Sequence, residues 1–262
     1  TLSLSGLAAN LDEYGMSCQP EIQDRVTSTN ALVRERAAEG APEGLVILAN
    51  QQTAGRGRLG RDFYSPPDTG LYLSLLLRPR QMQPQHATRI TTMAALAACE
   101  AIEAVTQQQP QIKWVNDIFL EGKKVCGILT EGSFNLETGQ LDDVVVGVGF
   151  NVYPPAGGFP PEIAEIADSI LQKQHSGTKS KLAAAFLNFF FQIYRGENDY
   201  ASAYRARSMV IGNSIVVSTP TASRNASALD IDRDCRLIVR YEDGSIASLS
   251  SAEVSIRTEG MR

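Results

Sequence analysis

The chain has 262 residues, with 24 Lys+Arg against 29 Asp+Glu and a formal charge of −5. A composition of 43% hydrophobic and 20% charged residues supports a sizeable core and excludes intrinsic disorder, and no apolar run nears the roughly 18 residues of a membrane span. The acidic balance argues against a general nucleic-acid surface. Four scattered cysteines (Cys18, Cys99, Cys126, Cys235) read as free thiols in a reducing compartment, not as a disulfide framework. Two histidines are too few for a His-rich metal site. The N-terminus has no basic start followed by an apolar block, so no secretory signal is expected and the location reads as cytoplasmic, or as an organelle if a targeting segment has been removed.

In chain order, 21–26 alternates and predicts a short strand. Ser28, Thr29 and Asn30 are helix-capping residue types, and 31–39 reads as a helix closed by Gly40. A compact apolar strand at 45–50 precedes an aperiodic loop over 51–69, and a strand resumes at 71–77. The alanine-rich stretch 88–106 predicts a long helix ended before Pro110, with His86 at its start. Strands at 111–115, 118–120, 125–131 and 144–152, with short turns at 121–122 and 135–139, predict hairpins in a partly antiparallel sheet. The strand at 144–152 is a candidate for edge pairing with a second copy, as in a homodimer, or with another domain. Helical patterns follow at 163–174, 180–195 and 199–208. From 211 onward, strands at 214–218, 222–231, 237–241, 245–249 and 253–257 are short and evenly spaced, as in a small β-barrel. The expected architecture is α+β, a mixed and largely antiparallel sheet flanked by helices over 1–210, with the barrel over 211–262.

Three segments carry chemistry. Residues 55–61 read Gly-Arg-Gly-Arg-Leu-Gly-Arg. Its glycines can expose backbone N–H groups, and its arginines would repel one another unless an anion sat among them. A solvated loop or an RGG-like nucleic-acid contact has the same composition, so this segment alone is a lead. Lys113-Trp114-Val115-Asn116-Asp117 leads through a hairpin to Lys124-Val125-Cys126-Gly127-Ile128-Leu129. Either the polar residues are turn and hairpin surface, or they place a polar cluster and a lysine on adjacent strands facing one cavity. Gly147 and Gly149 interrupt an apolar strand that ends at Asn151, as close approach by a ligand or another backbone requires. Cys126 reads as a buried small residue, 189–191 as core and His175 as loop surface.

Together and in this order these segments resemble the biotin protein ligases. The resemblance rests on Ser28-Thr29-Asn30, Gln52 with 55–61, Lys113–Asp117, Lys124–Leu129 and 147–151, and covers about residues 20–260. Val115 stands where that family usually has proline, and Phe63 where it often has tryptophan. The resemblance implies a biotin/lipoyl ligase-like catalytic domain with an SH3-like C-terminal barrel. It implies ATP-dependent activation of biotin, with Mg²⁺, to biotinyl-5′-AMP, then transfer to a lysine of a biotin carboxyl carrier domain of a carboxylase. Lys124, Arg58 and Arg61 would be catalytic; Ser28, Thr29, Asn30, Gln52, Gly55, Arg56, Gly57, Lys124 and Gly127 would bind biotin. Arg58, Arg61, Phe63, Asn116, Asp117 and Asn151 would bind the nucleotide, with Asp117 a metal ligand or the orienter of Lys124. No N-terminal DNA-binding domain, nucleic-acid partner or membrane partner is expected. The alternatives are a lipoate or octanoate ligase of the same superfamily, and a non-catalytic biotin sensor.

Overall fold

The computed structural model describes residues 1–79, 82–83, 87–134, 139–196 and 199–257. Seven strands, β1 (Gln19–Val26), β2 (Leu45–Gln52), β3 (Gly70–Leu77), β4 (Gln111–Lys113), β5 (Asp117–Leu120), β6 (Lys123–Phe134) and β7 (Leu141–Asn151), form one sheet. Their spatial order is β1-β2-β3-β7-β6-β5-β4. Only β1 and β2 run parallel; every other pair is antiparallel. β3 is buried along its whole length, as a central strand covered on both faces must be.

Side-chain alternation divides that burial. Leu71, Leu73, Leu75 and Leu77 join Val144, Val146 and Val148 in the main core, with α3 (Ala87–Thr106) and α4 (Thr178–Arg195). Leu76, Val145 and Ile47 face the other way and pack against Val33 and Ala37 of α2 (Thr29–Ala38). Phe186, Phe190 and Phe191 of α4 are fully buried, as the 189–191 run predicted for its last two members. A short helix α1 (Leu4–Ala8), too brief to signal itself by periodicity, buries Leu7 in the same core.

Three expectations change. The 144–152 strand is not an edge: β7 lies between β3 and β6, so it cannot pair with a partner, and the sheet ends at β1 and β4. Residues 163–174 do not form a helix. After one turn on Pro160 and Ile163, Asp168 N–H donates to the Lys124 carbonyl, and Ile170 and Leu171 donate to the Asn151 and Val152 carbonyls. These strand ends compete successfully for the donors a helix would use. Ser28 sits at the N-cap of α2, yet its side chain makes no capping bond. Of the 135–139 turn, residues 135–138 lie outside the described residues, as does His86.

After α5 (Tyr200–Ala206), strands β8 (Ser214–Ser218), β9 (Ser223–Ile231), β10 (Leu237–Tyr241), β11 (Ile246–Leu249) and β12 (Glu253–Ile256) build a second, antiparallel sheet ordered β11-β10-β9-β8-β12. It and the segment leading into it are fastened to the first sheet by named bonds. Trp114 Nε1 donates to the Cys235 carbonyl at 2.9 Å, and Tyr204 Oη donates to the Val115 carbonyl at 3.0 Å. Ile112 exchanges backbone bonds with Arg207 and Met209. The apolar core runs on through Ile215, Val217 and Leu237. Among the described residues no helix is long and apolar enough to cross a membrane.

Candidate active site

The site lies where the ends of β2, β6 and β7 meet the N-terminus of α2 and the arginine loop. Thr29 and Asn30 open α2 and are almost fully buried. Gln52, at the end of β2, accepts from Thr29 N–H at 2.9 Å and from Thr29 Oγ1 at 3.1 Å. Its Nε2 donates to Ser65 Oγ at 3.0 Å, and Ser65 Oγ donates to the Phe63 carbonyl at 2.9 Å. Ser74, a hydroxyl in the buried strand β3, lies 2.5 Å from Asn30 Oδ1 and 2.7 Å from Thr29 Oγ1. The residues that look like a helix cap therefore form a polar wall.

The arginine loop folds on itself. Gly57 N–H donates to the Arg61 carbonyl at 2.7 Å and Phe63 N–H to the Gly55 carbonyl at 2.9 Å. Leu59 (φ 58°) and Gly60 (φ 75°) take the left-handed conformation that reverses the chain. Leu59 accepts a strain of roughly 1–2 kcal/mol there. The β7 glycines border the cavity and are also approached closely by protein side chains. A Cβ on Gly147 would stand 2.1 Å from Asn30 Oδ1, and one on Gly149 would stand 2.5 Å from the Phe63 ring. The ring lies over the paired glycines Gly149 and Gly127.

Two compartments result. The smaller, about 450 Å³ counting its opening to solvent, is bounded by Ser28, Thr29, Asn30, Gln52, Arg56, Gly127, Leu129 and Gly147. The larger, about 950 Å³ on the same count, is bounded by Arg61, Tyr64, Asp117, Asn151, Phe159, Ile163, Ile166, Ala167 and Glu253. Gly57, Arg58, Phe63, Asn116 and Lys124 line both and form the junction. Gly55 lines neither; its carbonyl holds the loop, and a Cβ there would stand 2.5 Å from the Phe63 carbonyl oxygen.

The cations are held by protein groups. Arg58 Nη1 donates to Asn116 Oδ1 at 2.9 Å. Arg61 grips both oxygens of Glu253, at 2.7 and 2.9 Å. Lys124 Nζ lies 2.8 Å from Asp117 Oδ1 and 6.0 Å from the centre of the Phe63 ring. Asn116 Nδ2 donates back to the Ile128 carbonyl at 2.9 Å, and Asn151 Nδ2 to the Asp168 carbonyl at 3.2 Å. Burial pushes the Cys126 thiol well above its ordinary range, which removes the thiolate a nucleophile needs.

Several wall residues escaped sequence reasoning. Ser74 hides in an apolar strand, Glu253 is contributed by the second sheet, Phe159 comes from the proline-interrupted stretch, and Ile163, Ile166 and Ala167 come from the segment expected to be helical. Only the Ile/Ala content of that last segment signalled an apolar wall.

Residues 22–151 match the model of the biotin/lipoate A/B protein ligase family, and residues 210–257 that of the biotin protein ligase C terminal domain. The chain is 33% identical over 242 residues to the bifunctional ligase/repressor BirA of Bacillus spizizenii, covering 89% of this chain and 73% of that protein. It is 32% identical over 228 residues to the biotin–[acetyl-CoA-carboxylase] ligase of Paracoccus denitrificans, covering 84% and 93%. Among solved structures, the Aquifex aeolicus biotin protein ligase in complex with biotin and ATP superposes with a TM-score of 0.72 at 25% identity, covering 91% of this chain and 98% of that one. With the paired compartments, the arginine loop between them and both family domains present, the chain belongs to the biotin protein ligase family.

Proposed function

We propose that the small compartment takes biotin and the large one takes ATP, with Lys124, Arg58 and Asn116 at the reacting junction. In the first step a carboxylate oxygen of biotin attacks the α-phosphorus of ATP. The bond to the pyrophosphate oxygen breaks, leaving biotinyl-5′-AMP and pyrophosphate. In the second, a lysine amine of a biotin carboxyl carrier domain attacks the anhydride carbonyl and AMP departs with the bonding electrons. The observation that carries this reading is the set of five residues shared by both compartments, two of them cations. Bringing two anions together needs positive charge aimed at the point of reaction.

Each group has a task. Ser28, Thr29, Asn30 and Gln52 hold the ring end of biotin, with Arg56, Gly57 and Gly127 along its sides. Lys124 and Arg58 meet the carboxylate and the α-phosphate, Arg61 the outer phosphates, and Phe63, Asn116 and Asn151 the nucleoside. Mg²⁺ enters with ATP as part of the substrate. Asp117 is committed to Lys124 and Glu253 to Arg61, and the described residues hold no cluster of three or more His, Cys, Asp or Glu suited to a metal. Asp117 accordingly orients Lys124. The units at 1–210 and 211–262 work as one catalytic body, because Glu253 of the second lines the larger compartment. The four buried, unpaired cysteines fit a reducing, cytoplasmic setting. A homodimer or a carrier docked by strand pairing would use β1, since the other edge, β4, is taken by the backbone bonds of Ile112 to Arg207 and Met209.

The test is incubation of the purified protein with biotin, ATP, Mg²⁺ and a biotin carboxyl carrier domain, followed by mass spectrometry of the carrier. The expected result is a single biotinyl mass gain. A gain with lipoate or octanoate alone moves the chain to the sister activity, and bound biotin without transfer makes it a sensor.

A further inference from the structure

We propose that Glu131, on β6 outside both compartments, is a positioning residue that fixes the hydrogen-bond polarity of the small compartment through the Asn30 side chain. The proposal rests on the reading of that compartment as the biotin site. An amide side chain fits its space in two orientations, and its neighbours decide which one is populated. On one side of Asn30 stand two acceptors, Glu131 Oε2 at 2.8 Å and the Leu129 carbonyl at 3.4 Å. Only the NH₂ group can face them; an oxygen there would oppose a carboxylate.

The consequence propagates inward. With Nδ2 turned to Glu131, Oδ1 faces Ser74 and the space in front of Gly147. The Ser74 hydroxyl is fully buried and is the donor toward both Asn30 Oδ1 and Thr29 Oγ1, which share its one proton. Gln52 is fixed as well, since its Oε1 accepts the Thr29 backbone N–H. The single Thr29 hydroxyl proton therefore goes to Gln52 Oε1, inside the wall. What Thr29 and Asn30 turn to the compartment is oxygen. A cyclic urea presenting N–H groups there is matched, and a head group presenting a carbonyl there is not. Glu131 is anchored from the solvent side by Arg34 Nη1 at 3.3 Å.

Glu131→Gln keeps the shape and removes the stronger of the two constraints, leaving only the longer contact to the Leu129 carbonyl, because a glutamine can serve either orientation of Asn30. Steady-state pyrophosphate release should then show the KM for biotin raised about tenfold, the effect of one mismatched hydrogen bond of ordinary strength, with kcat and the KM for ATP within about twofold. Asn30→Asp alone opposes two carboxylates and should be worse. The double variant Asn30→Asp with Glu131→Gln exchanges acid and amide, restores an oxygen toward Ser74, and should return the biotin KM to within about threefold of the parent. A merely structural role would not produce that rescue.

Glu131→Gln with an unchanged biotin KM, or with both KM values raised together, overturns the proposal, as does a double variant no better than Asn30→Asp. Thr29→Val separates the two levels of the argument. If it raises the biotin KM while Glu131→Gln does not, only the role of Glu131 falls. If it leaves the biotin KM unchanged, the assignment of the compartment falls with it.

Discussion

Around the small compartment, Thr29, Asn30, Gln52 and Ser74 are bonded to one another, and Thr29, Asn30 and Ser74 lie almost wholly out of water. Around the large compartment, Arg61 and Lys124 are bonded to carboxylates at partly exposed positions, Glu253 and Asp117. The energies differ accordingly. A buried polar group left unsatisfied costs about 1–3 kcal/mol, whereas an exposed ion pair contributes only about 0.2–1 kcal/mol. The first region is built in advance for one shape and one polarity. The second keeps Arg61 in place with a pair weak enough for phosphate oxygens to replace. A small neutral ring is thus recognised by a rigid wall, and a multiply charged, mobile chain by exchangeable charge.

The largest test of that contrast falls on the junction. Lys124→Ala should lower kcat for pyrophosphate release by about 10²–10³, the range seen when one aimed positive or donor group is removed, with little change in thermal unfolding. The two glycines of β7 then separate the rigid wall from the shared junction. At Gly147 a Cβ meets Asn30, which is held on both sides; Gly147→Ala should raise the biotin KM at least about thirtyfold or cost roughly 1–3 kcal/mol of stability. At Gly149, which lines the same small compartment, the Cβ meets the rim of the Phe63 ring, which borders both spaces. Gly149→Ala should therefore raise the KM of both substrates, by about fivefold each. Equal effects of the two alanines on both substrates would erase the distinction between rigid and adaptable regions.

A smaller effect tests the fastening that brings Glu253 to the site. Trp114→Phe removes the indole donor from the buried Cys235 carbonyl. An orphaned carbonyl costs about 1–3 kcal/mol, seen as a Tm lower by several degrees, and the ATP KM should rise with it while the biotin KM holds.

Much of this contrast was legible in the order of residues, and the gaps have physical reasons. The apolar strands at 45–50 and 71–77, the alanine-rich helix and the run Lys113–Asp117 all announce themselves, because period and turn chemistry are local signals. Ser28-Thr29-Asn30 is legible as a group but looks like a cap, since the capping and pocket-lining roles use the same short polar side chains. Gly147 and Gly149 announce close approach without saying by what; Asn30 and Phe63, more than 80 positions away in the chain, are supplied by the fold. The 163–174 segment carries helical periodicity and loses its helix to carbonyls at the ends of β6 and β7. Ser74 and Glu131 are invisible for a related reason. A hydroxyl in an apolar strand and an acid beyond a conspicuous motif mean nothing until both are seen to flank Asn30.

The smallest expected effect is at Glu253, and it bears most directly on whether the cations of the larger compartment are held by exchangeable partners. Glu253 grips Arg61 with two oxygens while the arginine side chain remains 67% exposed. A pair of that kind does two opposing things. It keeps the guanidinium at the edge of the compartment, which favours a nucleotide, and it must be broken when phosphate oxygens take its place, which disfavours one. With an exposed pair contributing at most about 1 kcal/mol, neither effect can exceed roughly fivefold in the ATP KM. Glu253→Gln keeps a neutral acceptor for Arg61, so positioning survives while the competing charge is lost. The expected outcome is an ATP KM lower by about two- to threefold at low salt, shrinking toward no difference as ionic strength rises and screens the exposed charges. Measured by pyrophosphate release across a salt series, a higher ATP KM in Glu253→Gln would mean that the carboxylate belongs to the built part of the site, like the wall around Asn30.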